Sequence, residues 1–300
     1  MSSESEPVAY DIAELKAGGL MKQSEKDLFS VRLRVVGGYM KADQLEKLAE
    51  ISRKYGRGHI HLTTRQGAEI PYISFHDVED VRCELAEVGL EFGACGTRVR
   101  TITACQGLSC SNGLIDAQAL AAKLDEKFFG KGGYPHKFKI GIAGCPNACT
   151  KPHENGLGIM GNILKVFVPD RCTLCGLCVK ACPIEGALEI IEGELQYHQS
   201  ACVRCGACIA SCPTDAWVRE AVSYAVFAGG KMGKNPRFAD RLPFDITDEN
   251  SLVVLIDRVL EWYKRNGVRG ERFGTTIDRV GLGALVSDLQ QDLGDGGHNV

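Results

Sequence analysis

The sequence has no apolar run near the about 20 residues that a membrane-spanning helix needs, so no span is expected. Its opening stretch, MSSESEPVAYDIAELKAGG, lacks a basic n-region, an apolar h-region and twin arginines. The expected location is the cytoplasm. Charge of one sign is also lacking: 35 Lys and Arg face 38 Asp and Glu, a net of −3, which gives no support for a nucleic-acid partner. Nucleotide-binding motifs are missing too. G-L-G-I-M-G (156–161) has dinucleotide-type glycine spacing, but it follows a Cys turn and leads into K-V-F-V rather than a helix. G-G-K-M-G-K-N (229–235) lacks the spacing and the hydroxyl of a phosphate-binding loop. With no nicotinamide or flavin domain in view, electrons for any redox chemistry must come from a partner protein.

What is present is an ordinary globular composition, 44% hydrophobic and 24% charged over 300 residues, enough for one large domain or two smaller ones. Two residue types are in excess. The 35 glycines are about 12% of the chain, where about 7% is usual, and suggest close backbone packing. The 14 cysteines are many for a cytoplasmic protein, where disulfides are rare, so metal ligation is the expected use.

Eight cysteines lie in one stretch. Cys172, Cys175, Cys178 and Cys182 form C-x2-C-x2-C-x3-C before Pro183, and Cys202, Cys205, Cys208 and Cys212 repeat it before Pro213. This is the bacterial ferredoxin run, whose fourth Cys ligates the other cluster. The expected [4Fe–4S] sets are Cys172, Cys175, Cys178 and Cys212, and Cys202, Cys205, Cys208 and Cys182. A zinc ribbon would use separated Cys pairs without the third close Cys and the trailing Pro. Cys105 and Cys110, in T-A-C-Q-G-L-S-C, and Cys145 and Cys149, in A-G-C-P-N-A-C, each follow a strand-like run. Those four suit a third cluster; on spacing alone a zinc site or plain buried thiols remain open. Cys83 and Cys95 read as free core cysteines.

Hydrophobic periodicity gives the elements. FSVRLRV (29–35) alternates as a strand, and KADQLEKLAEISRKY places Leu45, Leu48 and Ile51 on one helical face before a stop at Gly56. HIHLTT and EIPYISF read as strands, DVEDVRCELAEVG as a helix and VRTITA (99–104) as a strand, which is the split β-α-β-β-α-β order. LIDAQALAAKLDEKFF reads as helix, FKIGIA, LGIMG, KVFV and YAVFAG as strands, then a helix over DENSLVVLIDRVLEWYKRNG and another over TTIDRVGLGALVSDLQQ. Arg32 and Arg34 share one face of their strand, as do Lys137 and Lys139 of theirs. His59, His61 and His153 read as structural.

The Cys105–Cys110 pair followed by G-C-P-N-A-C resembles the signature of sirohaem sulfite and nitrite reductases. V-R-L-R-V-V-G-G (31–38), H-L-T-T-R-Q (61–66), R-T-I-T-A-C (100–105), P-H-K-F-K-I (135–140), V-F-A-G-G-K-M-G-K-N-P-R (226–237) and E-R-F-G (271–274) resemble further segments of that family. The likeness covers about residues 29–161 and 217–290 and is greatest to the small anaerobic sulfite reductase branch with an inserted ferredoxin module. Larger members place five residues between the first two cysteines; here there are four.

The resemblance implies an α+β fold: a ferredoxin-like split β-α-β-β-α-β unit plus a sirohaem/[4Fe–4S]-binding α+β domain, interrupted by a bacterial two-[4Fe–4S] ferredoxin insert. Expected boundaries are an N-terminal arm (1–28), the half-domain (29–104), the cofactor domain (105–161 and 217–290), the insert (162–216) and a flexible tail (291–300). It further implies sirohaem and three [4Fe–4S] clusters, with Cys149 as the thiolate shared by haem iron and cluster. Arg32 or Arg34, Arg100, Lys137 and Lys139 would surround the bound anion, and Arg65 would contact cofactor or substrate. Asn147 and Lys151 of the second Cys turn, and Gly229, Gly230, Gly233 and Arg237 of the Gly-rich segment, would line the cofactor. The implied reaction is six-electron reduction of sulfite to sulfide, or of nitrite to ammonia. The donor would be a protein or subunits carrying flavin or iron–sulfur groups. A single α+β repeat, where larger members hold two, implies a homodimer or a larger complex. Competing readings are a haem-free polyferredoxin electron carrier and a noncatalytic scaffold protein.

Overall fold

Asp11 starts the first regular element by capping it: its Oδ1 accepts the backbone N–H groups of Ala13 (2.7 Å) and Glu14 (3.3 Å) at the head of α1, Ile12–Ala17. The computed structural model describes residues 11–293, with side chains through Gln290. Residues 1–10 of the expected arm lie outside the described residues, as does the expected tail apart from 291–293, which close the last helix. From residue 11 onward the arm expectation is corrected. β1, Leu20–Lys22, pairs antiparallel with β2, Leu28–Arg32, because Leu20 is an apolar anchor in the core and Gly19 admits the chain where a Cβ would stand 2.4 Å from the Gly93 carbonyl oxygen.

The chain forms two compact units. The first takes in the chain as far as Thr103, with Ala121–Ile140 and Gly267–Phe273. Its sheet runs β1-β2-β4-β3, antiparallel throughout, with β3 His61–Leu62 and β4 Ala68–Ser74. Two helices supply the apolar cover, α2 (Ala42–Tyr55) and α3 (Val78–Ala86); Leu48, Ile51, Val81 and Leu85 pack with Phe29, Val31, Ile70 and Ile73. Gly56 ends α2. Leu45, expected on the buried face, stays 48% exposed; that face continues instead to Ser52, whose Oγ donates to the His59 carbonyl at 2.8 Å.

The expected strand 99–104 does not join this sheet. Only Thr103–Ala104 are extended as β5, in the other sheet, and β1 fills an edge in its place. Residues 121–140, expected in the cofactor domain, belong to the first unit. Their anchor is Asp125 of α4 (Ala117–Phe128), which accepts the Ile102 N–H at 2.9 Å and ion-pairs with Arg34 at 2.8 Å.

The second unit, Ala104–Leu120, Gly141–Asn266 and Gly274 onward, is built on a long antiparallel pair. β7 (Leu157–Phe167) lies along β10 (Trp217–Ala228) from Leu157 opposite Ala228 to Phe167 opposite Trp217. The expected separate runs LGIMG and KVFV are thus one strand, since Leu157–Ile163 is buried throughout and nothing breaks it. β6 (Ile140–Ala143) and β11 (Asp240–Ile246) complete the order β11-β10-β7-β6-β5. α7 (Glu249–Asn266) buries Leu252, Leu255, Ile256, Val259 and Tyr263 at helical spacing. The expected last helix is two, α8 (Phe273–Val280) and α9 (Leu282–Leu293), because Gly281 between them has φ +105°.

Between β7 and β10 lie α5 (Leu177–Ala181), the hairpin β8 (Leu188–Ile191) and β9 (Glu194–Tyr197), and α6 (Ala207–Ser211). Cys178, Leu188, Cys208 and Trp217 form its small core. One buried ion pair fastens this stretch to the sheet: Arg204 Nη1 lies 2.5 Å from Asp245 Oδ2 of β11, with side chains 7% and 3% exposed. Removing one partner strands a buried charge. Asp245→Asn is expected to cost about 3–5 kcal/mol, read as a lowered melting temperature of the cofactor-loaded protein; an unchanged Tm would deny the pair this role.

Candidate functional site

A cleft in the first unit, about 770 Å³ of empty space out to its mouth, gathers Arg32, Arg65, Arg100, Lys137 and Lys139 with Thr63 and Thr101. Arg32 is the last residue of β2. Arg65 sits on a turn held by Thr63, whose Oγ1 accepts the N–H groups of Arg65 (3.3 Å) and Gly67 (3.1 Å). Lys137 and Lys139 approach β6 in extended chain, so they point the same way.

The cations differ in how they are held. Arg32 donates to Glu69 Oε1 from Nε (2.7 Å) and lies 2.9 Å from Cys95 Sγ. Arg65 Nη2 donates to the Thr101 carbonyl at 3.0 Å. Arg100 donates to the carbonyls of Ala94 (2.8 Å) and Gly96 (3.3 Å), while its Nε is buried with no partner among the described residues. Lys137 and Lys139 have no acidic partner among the described residues. Burial first, then Arg65, Arg272, Lys137 and Arg100, push the Lys139 ammonium down to about 7. Burial, Arg272, Arg100 and Lys16 lower Lys137, and burial with Arg100, Arg272 and Arg32 lowers Arg65 to about 10. These cations repel one another out of water, so the cleft suits an anion of more than one charge.

Arg34 is not in the cleft. β2 ends at Arg32, so the strand alternation that paired the two arginines stops there. Arg34 instead reaches Asp125 (2.8 Å) and Glu91 (2.7 Å) and lies 4.3 Å over the Phe129 ring. Among described residues that sequence reasoning left out of the site, Glu69 and Thr63 carried no signal beyond neighbouring H-L-T-T-R-Q. Arg272, whose charge lowers Lys137 and Lys139, stood in the E-R-F-G segment without a role. Cys95, read as a free core thiol, touches Arg32. His61 is exposed beside Glu69 at 3.3 Å, and His153 stands against the Phe227 ring at 4.4 Å.

The cysteines lie in the second unit. Cys105 Sγ accepts the Gly144 N–H (2.9 Å) and the Gly107 N–H (3.4 Å). Burial and the nearby thiols of Cys105, Cys149 and Cys110 push the Cys145 thiol up, against the Asn147 backbone N–H bonded to it, so these four share one neighbourhood. Cys149 is exposed, on a turn where Ala148 (φ +51°) and Lys151 (φ +50°) are left-handed. Two further cavities are ringed by thiols. One, about 320 Å³, is lined by Cys172, Cys175, Cys178 and Cys212; the other, about 280 Å³, by Cys182, Cys202, Cys205 and Cys208. Among the described residues, no three His, Cys, Asp or Glu side chains converge on one point as for a single metal ion.

The glycines of the Gly-rich segment answer to the chain itself rather than to open approach by a ligand. A Cβ on Gly230 would stand 2.2 Å from the His153 carbonyl oxygen, and one on Gly229 would stand 2.8 Å from Arg237 Nη1. The 156–161 glycines likewise meet backbone: a Cβ on Gly161 would lie 2.5 Å from the Gly144 carbonyl oxygen. Only Gly233, of the three expected to line the cofactor, has open space there. Arg237 is held by Asp278 (2.8 Å), Asp240 and the Phe238 carbonyl (2.9 Å).

Residues 95–295 match the nitrite and sulphite reductase 4Fe-4S domain, and residues 21–88 the nitrite/sulfite reductase ferredoxin-like half domain. The chain belongs to this family. It is 36% identical over 280 residues to a coenzyme F420-dependent sulfite reductase of Methanocaldococcus jannaschii, covering 91% of this chain and 44% of that protein. To the third of the lettered polypeptides of an anaerobic sulfite reductase from Salmonella typhimurium it is 34% identical, covering 78% of this chain and 74% of that polypeptide. This chain therefore spans less than half of the first relative and about three quarters of the second. The crystal structure of dissimilatory sulfite reductase I has the same fold, at TM-score 0.71, 21% identity and coverage of 87% of this chain and 69% of that one.

An anion entering the cleft favours charged Lys139. Because its pKa in the folded chain is about 7, at pH 8 the amine is mostly neutral and binding takes up a proton at Nζ; at pH 6 it is already charged and uptake falls. Calorimetry of sulfate binding at pH 8, in buffers of different ionisation heat, is expected to show net proton uptake that Lys139→Met removes. Heats independent of buffer would show that Lys139 stays protonated.

Proposed function

We propose that the chain reduces sulfite to sulfide, a six-electron reaction, at a sirohaem bound with the cationic cleft. Cys149 would join the haem iron to a [4Fe–4S] cluster held with Cys105, Cys110 and Cys145. The observation that carries the reading is the cleft: desolvated cations, two of them lysines without acidic partners among the described residues, in a chain of this family. Sirohaem is a polycarboxylate, and these residues fit it, since guanidinium groups and the bare Arg100 Nε are donors without acceptor capacity. When bound, the haem supplies an iron that ligates the small anion and receives electrons.

The chain's residues then have distinct tasks. Arg65 and Arg100, fixed through backbone carbonyls, bind negative charge in set directions. Glu69 holds Arg32 in place. Lys137 and Lys139 stabilise charge as S–O bonds weaken, and Lys139, with a pKa of about 7, can hold or release a proton at Nζ near neutrality. Two further [4Fe–4S] clusters, in the Cys172/175/178/212 and Cys182/202/205/208 cavities, would pass electrons inward from a partner bearing flavin or iron–sulfur groups. Assembly would be a homodimer or a larger complex, and the relatives named sulfite reductases favour sulfite over nitrite. The cytoplasm is the proposed location.

Anaerobically purified protein should yield sirohaem near one per chain on acid–acetone extraction and form sulfide from sulfite with a reduced dye. Lys139→Ala should lower kcat about 10²-fold while keeping the haem. Loaded clusters without sirohaem would overturn the proposal in favour of an electron carrier.

A further inference from the structure

The two thiol-ringed cavities come from a duplicated sequence, and the duplication provides an internal control. Lys165 stands seven residues before Cys172, and Leu195 seven before Cys202 (172 − 165 = 202 − 195). Each lines the cavity whose three close cysteines belong to the other half: Lys165 that of Cys182, Cys202, Cys205 and Cys208, Leu195 that of Cys172, Cys175, Cys178 and Cys212. Equivalent positions thus carry a cation at one cavity and an isobutyl group at the other. The lining of the Leu195 cavity contains no Lys or Arg.

Lys165 is held in place. Its Nζ donates to Cys208 Sγ at 2.9 Å and sits 4.6 Å from the Trp217 ring centroid and 4.8 Å from that of Tyr197. The side chain enters the cavity from β7, whose successive odd residues mark out a line. Gly161 backs onto the Gly144 carbonyl, next to Cys145; the Ile163 N–H donates to the Arg204 carbonyl at 2.9 Å, between Cys202 and Cys205; Lys165 reaches Cys208; Phe167 lines the Cys172 cavity. At about 3.3 Å per residue, those six steps span about 20 Å. The Lys165 cavity is therefore the inner one, nearer the Cys105/Cys145 group.

We propose that Lys165 sets the direction of electron flow by raising the reduction potential of the cluster at the inner cavity above that of its twin. The inference rests on the reading that both cavities hold [4Fe–4S] clusters. A fixed cation beside a ligand sulfur favours the form with one more electron, and the hydrogen bond to the thiolate acts in the same sense. The transfer moves one electron: the outer cluster goes from its reduced to its oxidised form and the inner from oxidised to reduced, with no proton taken up. The outer cluster is refilled by an external one-electron donor of the flavin or iron–sulfur class.

The test is a redox titration followed by electron paramagnetic resonance on the full chain, with iron and acid-labile sulfide measured in the same samples. Cys208→Ser and Cys178→Ser assign the two signals. Lys165→Leu, which copies the other half, should shift the inner midpoint negative; Lys165→Arg should restore most of it; Leu195→Lys should shift the outer midpoint positive. Unmoved midpoints in Lys165→Leu and Leu195→Lys with full cluster content would overturn the role of Lys165 and leave the cluster reading standing. If the wild-type chain binds no clusters at these cysteines, or Cys208→Ser loses none, both the cluster reading and this proposal fall. Should Lys165→Leu load poorly, Leu195→Lys and Lys165→Arg still decide: Leu195→Lys must raise the outer midpoint and Lys165→Arg must keep the inner one.

Discussion

Repulsion among cations removed from water is the constraint on which the first unit depends. Each charge in the cleft loses hydration, and each neighbour of the same sign adds to the cost, so an unsupported group of this kind would splay into solvent. Backbone carbonyls of Ala94, Gly96 and Thr101 and the carboxylate of Glu69 hold three guanidinium groups against that tendency. Those carbonyls in turn need a stiff frame, and the close packing of Leu48, Ile51, Val81 and Leu85 on the sheet supplies it. Lys137 and Lys139 are left without such support, and Lys139 answers by giving up its proton near neutrality. The arrangement stores a preference for anions that no single side chain would have.

The second unit solves a different problem, the spacing of soft ligands. Thiols that ring a cavity must stay apart, which a chain under hydrophobic collapse does not do by itself. β7 fixes them because its residues are bound alternately to one Cys group after another, and because glycine at 161 lets the strand lie against the Gly144 carbonyl. Left-handed residues in the Cys runs, Leu174 (φ +55°) and Arg204 (φ +57°), turn the loops so that N–H groups face sulfur: the Leu174 N–H reaches Cys172 Sγ at 3.4 Å and the Arg204 N–H reaches Cys202 Sγ at 3.3 Å. The buried Arg204–Asp245 pair then anchors the second run to β11.

Much of this was legible in the sequence where a short-range rule governs it. The two ferredoxin-type runs carry their own geometry, and the cavities they line contain the crossed sets of four thiols that their spacing suggested. Lys137 and Lys139 fall together because two-residue alternation in extended chain is local. The same rule misled for Arg34, since nothing in V-R-L-R-V marks where β2 stops, and Asp125, 91 residues later, decides its partner. β1 was hidden because a three-residue edge strand has too short a pattern to read. The glycines of 229–230 looked like a ligand's approach path; their neighbours, the His153 carbonyl and Arg237, are distant or side-chain contacts that no spacing reveals. Arg272 was illegible for the same reason: its effect on Lys139 is through space.

A duplicated sequence builds two like cavities, and likeness alone gives electrons no reason to move from one to the other. Direction requires that the copies differ at a position where the difference is felt by the cluster and not by the fold. A residue reaching the cavity from a neighbouring strand meets that condition, because it is not a ligand and replacing it leaves the Cys loop intact. Lys165 and Leu195 occupy such matched positions with similar length and opposite polarity. The aromatic walls of Trp217 and Tyr197 take up the aliphatic stem and the charge of the lysine, so the cation resides beside Cys208 with no acidic partner among the described residues to cancel its field. The asymmetry therefore costs the fold little and acts where the redox chemistry would feel it.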